Sequence, residues 1–131
     1  MGLFSAFKKG DSVKETKVVN EVPWSVLKTV EQLGTIAEES KTIPVAIFKH
    51  STRCGISRMV LRNFESTYSI DANKMKLYYL DLLANRELSD EVGYTFQVLH
   101  QSPQLIIIKN GVAVAHTSHH GIQAGELEKF V

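Results

Sequence analysis

The spacing of apolar residues changes in the middle of the chain. The run from Ile43 to Phe48 is short, contains Pro44, and is typical of a buried strand. The apolar residues after it recur at helical intervals, namely Ile56, Met59, Val60, Phe64 and Tyr68. The pattern therefore predicts a strand followed by a helix that ends near Glu65 or Tyr68.

Two shorter elements are predicted before this strand. The segment from Trp24 to Leu27 follows a proline and has the character of a short edge strand. Thr29 and Gln32 have the spacing of a capping box, so we expect a helix to begin there and to end near Ser40. The inner face of this helix would carry Leu33, Ile36 and Ala37.

The segment after the central helix predicts a third strand and a third helix. Residues 76–81 form an apolar and aromatic run that is typical of a strand. Asn85 is the predicted cap of the next helix, which would place Leu88 and Val92 inward and end near Gly93. A loop over 94–102 would follow.

The last part of the sequence predicts a hairpin and a closing helix. Asn110-Gly111 separates the apolar runs 105–109 and 112–116, and this dipeptide is a strong signal for a tight turn because both of its residues adopt positive φ readily. A final helix is expected over about 123–130. Alternating strands and helices indicate an α/β fold, with helices on both faces of a mixed sheet.

Composition and charge exclude several classes of function. The 131 residues carry a net charge of +1, so no electrostatic footprint for nucleic acid is present. No run is long enough to span a membrane, and no membrane partner is expected. We expect a polar leader over 1–21 and one domain over 22–131. The single cysteine cannot form an internal disulfide, which favours a cytoplasmic protein.

The single cysteine, Cys54, lies where the strand pattern changes to the helix pattern. A helix N-terminus has unpaired amides and a positive dipole, and both favour a thiolate. Because Ser57 follows one turn later, its hydroxyl is expected to donate a hydrogen bond to the sulfur, but it cannot supply a second thiol. Cys54 could therefore attack a disulfide in another molecule, leaving an adduct that an external thiol resolves.

Other residues near Cys54 suggest further roles. The nearby cations would stabilise a thiolate or hold an acidic small thiol: Lys49, Arg53, Arg58 and Arg62. His50 could activate the sulfur, although a structural histidine is the better interpretation, since alternate strand residues face opposite sides. The histidines after the hairpin, His116, His119 and His120, fit no compact zinc motif and are interpreted as a solvated group.

Two segments of the sequence resemble a known family. Phe48-Lys49-His50-Ser51-Thr52-Arg53-Cys54 with Ile56-Ser57, and the later Gln101-Ser102-Pro103-Gln104, resemble the monothiol bacilliredoxins of the bacillithiol system, the YtxJ-type family of the thioredoxin-like superfamily. The resemblance covers about 22–131. Members commonly carry proline where this chain has Gly55, a difference that bears on the tuning of the thiol and not on the nucleophile.

This resemblance implies a thioredoxin-like fold and a particular chemistry. Cys54 would accept bacillithiol from mixed disulfides on client proteins, and Ser57 would occupy the position of a resolving cysteine. Thr52, Arg53 and Gly55 would contact the substrate, as would Ser102 and Pro103, the latter after a cis peptide. Bacillithiol would serve as co-substrate, with no other cofactor and no metal, and a low-molecular-weight thiol would be a partner.

Two alternatives remain open at this point. Cys54-Gly55-Ile56-Ser57 is close to the Cys-Gly-Phe-Ser of monothiol glutaredoxins that carry iron–sulfur clusters, but their Gly-Gly-x-Asp motif is missing near Gly121. A brown protein on anaerobic purification would favour that function. The other alternative is a binding module with an inert thiol, for which alkylation of Cys54 would be no faster than that of a free thiol.

Overall fold

A computed structural model describes residues 22–131, and the predicted leader 1–21 lies outside the described residues. The strands are β1 (Trp24–Val26), β2 (Val45–His50), β3 (Lys76–Asp81), β4 (Gln104–Lys109) and β5 (Val112–Ser118). The helices are α1 (Glu31–Glu39), α2 (Gly55–Thr67) and α3 (Arg86–Phe96). Two 3₁₀ helices, His119–Gly121 and Ala124–Phe130, complete the described chain.

The five strands form one mixed sheet in the order β1-β3-β2-β4-β5. Strands β1, β3 and β2 are parallel, whereas β4 runs antiparallel to β2, and β5 antiparallel to β4. The predicted α/β architecture with a mixed sheet is therefore confirmed. The central position of β2 explains its complete burial, because it has a strand on each side and a layer on each face.

Alternate residues of β2 serve two separate cores. Val45 and Ile47 pack with residues of α1 and α3 on one face of the sheet. Ala46 and Phe48 pack with residues of α2 and the second 3₁₀ helix on the other face. Since side chains alternate along a strand, Lys49 belongs to the α3 face and His50 to the α2 face.

The sequence predicted the hairpin turn correctly but placed the end of the third helix too early. The hairpin turn is confirmed, because Asn110 and Gly111 have φ of 52° and 79°. The third helix was predicted to end near Gly93 but continues to Phe96, and Gln97 then adopts a left-handed φ of 58°. Gly93 is required for packing instead, since a Cβ there would lie 2.9 Å from the carbonyl oxygen of Val98.

The capping box at the start of α1 forms only in part. The Gln32 Oε1 atom accepts from the Thr29 amide at 2.9 Å, as predicted, and also from the Lys28 amide at 2.6 Å. Thr29 does not cap the helix with its own side chain, because the N-cap residue is Val30 and has no side-chain cap hydrogen bond. The closing helix, predicted over about 123–130, lies over Ala124–Phe130 and is a 3₁₀ helix.

Candidate functional site at the carboxyl end of the central strand

Cys54 is the N-cap residue of α2. Its backbone is extended, with φ −107° and ψ 123°, and its carbonyl oxygen accepts from the Arg58 amide at 3.0 Å, the first bond of the helix. The Cys54 amide donates to the Ser51 carbonyl at 3.2 Å, which closes a turn between β2 and α2. The side chain is half-buried and its thiol is free. Cys54 therefore lies at the N-terminus of α2, beside the amides of the first helical turn, which have no intrahelical partners.

Ser57 is buried one turn after Cys54, and its hydroxyl has other partners than the sulfur. The Oγ atom accepts from the Ser51 amide at 3.0 Å and lies 2.8 Å from His50 Nδ1. The expected hydrogen bond from this hydroxyl to the Cys54 sulfur is therefore not what the structure shows. The physical reason is that two polar groups of the adjacent turn and strand, the Ser51 amide and the His50 imidazole, already hydrogen-bond to this hydroxyl.

His50 is a buried histidine held by this contact. Burial lowers the pKa of His50 below its ordinary value, while the carboxylates of Asp81 and Glu65 oppose that shift and Arg58 adds to it. The Nδ1 atom of the ring and the Ser57 hydroxyl share one hydrogen bond at 2.8 Å, and this bond fixes the orientation of the ring. His50 thus matches the structural histidine that sequence reasoning favoured over an activator of the sulfur.

The cations predicted around Cys54 do not form one group. Arg53, Arg58 and Arg62 are exposed, and Arg58 Nη1 donates to the Thr52 carbonyl at 3.3 Å. Lys49, in contrast, is fully buried and its Nζ atom donates to the Ser89 carbonyl of α3 at 3.1 Å. The expectation that Lys49 acts beside Cys54 is therefore wrong, because strand alternation turns its side chain to the other face of the sheet.

Gly55 opens α2 and has room for a larger residue. A Cβ there would meet only the Arg58 Nη2 atom, at 3.9 Å, and the φ of Gly55 is not in the left-handed region. Proline is well suited to the first position of a helix, because its missing amide and fixed φ cost nothing there. The backbone of this chain is therefore compatible with a proline at this position.

Ser102 and Pro103 come to the same end of the sheet as Cys54. Gln104, the residue after Pro103, pairs with Lys49 of β2, five residues before Cys54. The Ser102–Pro103 peptide bond is cis, as the resemblance implied. The Pro103 carbonyl accepts from the His119 amide at 3.1 Å, and the 3₁₀ helix containing His119 packs against α2. The two predicted site segments are thus joined through β2 and through this helix.

The histidines after the hairpin are exposed. Residues His116, His119 and His120 all lie on the surface. Within residues 22–131, no group of three or more histidine, cysteine or carboxylate side chains has an arrangement that could hold a metal ion. This placement agrees with the solvated group that the sequence suggested.

Sequence reasoning missed one part of this region. Lys49 and Gln104, both fully buried, bond to the chain between Leu99 and Gln101. The sequence did contain a signal for these buried polar groups. Lys49 directly follows the apolar run of β2, and Gln104 directly precedes the apolar run of β4. The apolar run 43–48 predicted the strand, which lies over Val45–His50, but it did not predict that the side chain of Lys49 is buried.

The fold and the site define a thioredoxin-fold protein with one cysteine at the start of α2. A solved protein with a thioredoxin fold, described as a candidate oxidoreductase, is 29% identical, with a TM-score of 0.68 over 82% of this chain and 92% of that chain. Thioredoxin from Trypanosoma brucei brucei is 20% identical, with a TM-score of 0.60 over 89% and 93%. Thioredoxin from Fasciola hepatica is 20% identical, with a TM-score of 0.59 over 79% and 92%.

The family follows from the sequence itself. The profile of the monothiol bacilliredoxin family BrxC matches residues 25–127. The chain therefore belongs to the monothiol bacilliredoxins, and a redox function carried by a thiol is supported by both family and fold. Among the described residues, no helix has the length and apolar character needed to cross a bilayer.

Proposed function

We propose that this protein removes bacillithiol from mixed disulfides on client proteins in the cytoplasm. The observation that carries the proposal is the single, half-buried Cys54 at the start of α2 in a chain of the monothiol bacilliredoxin family. The Cys54 thiolate attacks the bacillithiol sulfur, the mixed disulfide of the client breaks, and the client leaves as a thiolate that takes up a proton. Cys54 then carries bacillithiol in a new disulfide.

An external thiol completes the cycle, because the sequence has no second cysteine. Its thiolate attacks the adduct, takes the bacillithiol moiety into a disulfide and leaves Cys54 reduced. The two electrons come from external thiols, so the cycle needs no resident cofactor. Ser57 occupies the position at which a dithiol relative would hold its resolving cysteine. We propose that its hydroxyl instead holds the Ser51 amide and His50 in place beneath the turn that carries Cys54.

The two sides of the site suit the two parts of the substrate. Thr52, Arg53 and Gly55 are exposed beside the sulfur, and Arg53 supplies positive charge for an acidic small thiol. Ser102 and Pro103 would contact the client chain. The Ser102 Oγ atom is buried and has no hydrogen-bond partner among the described residues, and a buried unpaired hydroxyl at this position is consistent with a role in binding.

Intact mass spectrometry tests the proposal. The reduced protein is mixed with a client that carries bacillithiol on one cysteine, and both proteins are weighed after quenching with acid. We expect the mass of the adduct to move from the client to this protein and to map to Cys54. Adduct that stays wholly on the client contradicts the proposal. The matched control is a client carrying glutathione, which tests whether the site distinguishes the two small thiols.

A further inference from the structure

A fully buried lysine connects the strand before Cys54 to the loop that carries Ser102 and Pro103. The loop consists of residues 97–103 and is called here the Pro103 loop. Lys49 is the fifth residue of β2, and its Nζ atom donates to the Ser89 carbonyl at 3.1 Å and to His100 Nδ1 at 3.4 Å. Placing an ammonium group in the interior is costly unless it is hydrogen-bonded. These two hydrogen bonds therefore offset part of the cost of burying the Lys49 ammonium group.

A second buried polar side chain holds the same loop. Gln104 is fully buried and pairs with Lys49 across the sheet, so the two side chains lie on one face. Its Nε2 atom donates to the Leu99 carbonyl at 2.9 Å, and its Oε1 atom accepts from the Gln101 amide at 3.4 Å. Lys49 and Gln104 together thus bond three consecutive residues of the Pro103 loop.

Apolar packing contributes little to the position of this part of the loop. The Leu99 side chain is 85% exposed, and both His100 and Gln101 are exposed. Val98 is buried, but it lies at the start of the loop, beside α3. The polar contacts of Lys49 and Gln104 are therefore the main connection between the centre of the loop and the sheet.

We propose that Lys49 and Gln104 are positioning residues that fix the Pro103 loop relative to Cys54 for docking of an extended client segment. This inference rests on the proposed function, and it assigns to the buried pair a role in recognising the protein part of the substrate. The mechanism is geometric, since small displacements of a docking segment lower the rate of attack strongly. The small thiol and the Cys54 sulfur do not depend on the pair.

The charge state of Lys49 adds a pH dependence. Burial lowers the pKa of Lys49 to about 8, and the Asp90 carboxylate of α3 opposes that shift. The ammonium group also contacts the titratable ring of His100. The pKa of His100 is lowered overall, by burial first and then by the charges of Lys49 and Arg86, while the Asp90 carboxylate opposes this shift. Above pH 8 the neutral amine donates weaker hydrogen bonds, so the loop is held less firmly.

The test compares two rates measured on each variant. One is transfer of bacillithiol from a modified protein client to Cys54, and the other is alkylation of Cys54 by iodoacetamide, which requires the thiolate but no docking. In Lys49→Met and Gln104→Met the ratio of transfer to alkylation should fall about tenfold. Lys109→Met is the matched control, since the Lys109 Nζ atom bonds the Phe130 carbonyl at the opposite end of the sheet. Its ratio should stay within about twofold of the native one.

The pH dependence of the ratio of transfer to alkylation distinguishes this positioning role from a purely structural role of Lys49. In the native protein the ratio should fall as pH rises through about 8, whereas in Lys49→Met it should be flat. Both rates need the Cys54 thiolate, so its ionisation cancels in the ratio. If Lys49→Met does not fold, Gln104→Met and the native profile decide. Unchanged ratios in both variants, or a flat native profile, overturn the inference.

Failure of the proposed function can be told apart from failure of this inference. If the native protein takes no adduct from the client, the proposed function is wrong. The inference is then decided by amide hydrogen exchange of residues 99–102, which should be faster in Lys49→Met and Gln104→Met than in Lys109→Met. Equal exchange in all three variants contradicts the positioning role of the buried pair.

Discussion

Strand β2 has an apolar part of four residues and a polar part of two, called here its apolar half and its polar half, which are equally buried but are held by different forces. Its first four residues, Val45 to Phe48, are apolar and have no exposed surface. Its last two residues, Lys49 and His50, are also buried. Lys49 donates a hydrogen bond to the Ser89 carbonyl on the α3 face of the sheet, and His50 shares one with the Ser57 hydroxyl on the α2 face. Burial of apolar side chains stabilises the fold through a non-directional effect. A buried polar side chain, in contrast, destabilises the fold unless its hydrogen bonds are formed.

This difference explains where the site lies. The apolar half binds the layers together around the centre of the sheet. The polar half is next to Cys54, and its hydrogen bonds fix two segments, the turn at Ser51 through Ser57 and the Pro103 loop through Lys49. Changes in the first half should therefore alter stability, and changes in the second half should alter the exchange reaction.

The largest effect is expected from Cys54→Ser, which lies just beyond the polar half. This change should abolish adduct transfer entirely, because a hydroxyl at neutral pH does not attack a disulfide. The side chain is half-buried and nearly isosteric, so the free energy of unfolding should change by less than about 1 kcal/mol. Urea unfolding and mass spectrometry check both results. Residual adduct on the serine variant would place the reactive group elsewhere.

Phe48→Ala tests the apolar half. The Phe48 ring is fully buried and makes edge contacts with Trp24 and Phe64, with centroids 5.8 Å and 5.4 Å apart. Truncation should cost about 3–5 kcal/mol of unfolding free energy, since it leaves a cavity between the sheet and α2. The rate of adduct transfer per folded molecule should remain near the native value. A loss of stability below about 1 kcal/mol would contradict this description of the core.

Ser57→Ala tests the polar half. It leaves the Ser51 amide and His50 Nδ1 without their buried partner, so it should cost about 1–3 kcal/mol. Adduct transfer should become slower without being eliminated, because the sulfur itself is unchanged. Ser66→Ala is the matched control, since Ser66 is exposed on α2 and its hydroxyl bonds the Asn63 carbonyl of its own helix at 2.9 Å. Complete loss of transfer in Ser57→Ala would give this hydroxyl a direct part in the reaction.

The smallest expected effect is a pH dependence of stability that comes from Lys49. Its pKa of about 8 in the folded protein is below the ordinary 10.5, so between these values the unfolded chain binds more protons and unfolding free energy rises with pH. This rise should be present in the native protein and missing in Lys49→Met, measured by urea unfolding from pH 8 to 9.5. Higher pH is avoided because burial raises the pKa of Tyr68 to about 12, which has the opposite effect. Identical slopes in both proteins would contradict a buried ammonium.

The strand–helix junction and the hairpin were readable from sequence because each depends on local rules. The switch of period at Cys54 follows from the geometry of strands and helices, and the turn at Asn110-Gly111 from the positive φ that both residues tolerate. The core positions Leu33, Ile36, Leu88 and Val92 were predicted in the same way and are buried. The cis bond before Pro103 followed only from the family resemblance.

The features that were missed depend on tertiary contacts. Lys49 was predicted to act as a cation near Cys54, and its burial was missed because its partners Ser89 and His100 lie far along the chain. The partners of Ser57 were missed for the same reason, since its spacing from Cys54 was clear but its bond to His50 depends on how α2 packs on the sheet. The end of α3 was set by the close approach of Val98 to Gly93.

The most direct measurement is a time course of adduct transfer under single-turnover conditions. Excess reduced protein is mixed rapidly with a bacillithiolated client, and the masses of both are followed. If Cys54 attacks the bacillithiol sulfur, the client should lose the adduct and Cys54 should gain it with one rate constant. Loss from the client without a matching gain on Cys54, or no loss at all, would contradict this account.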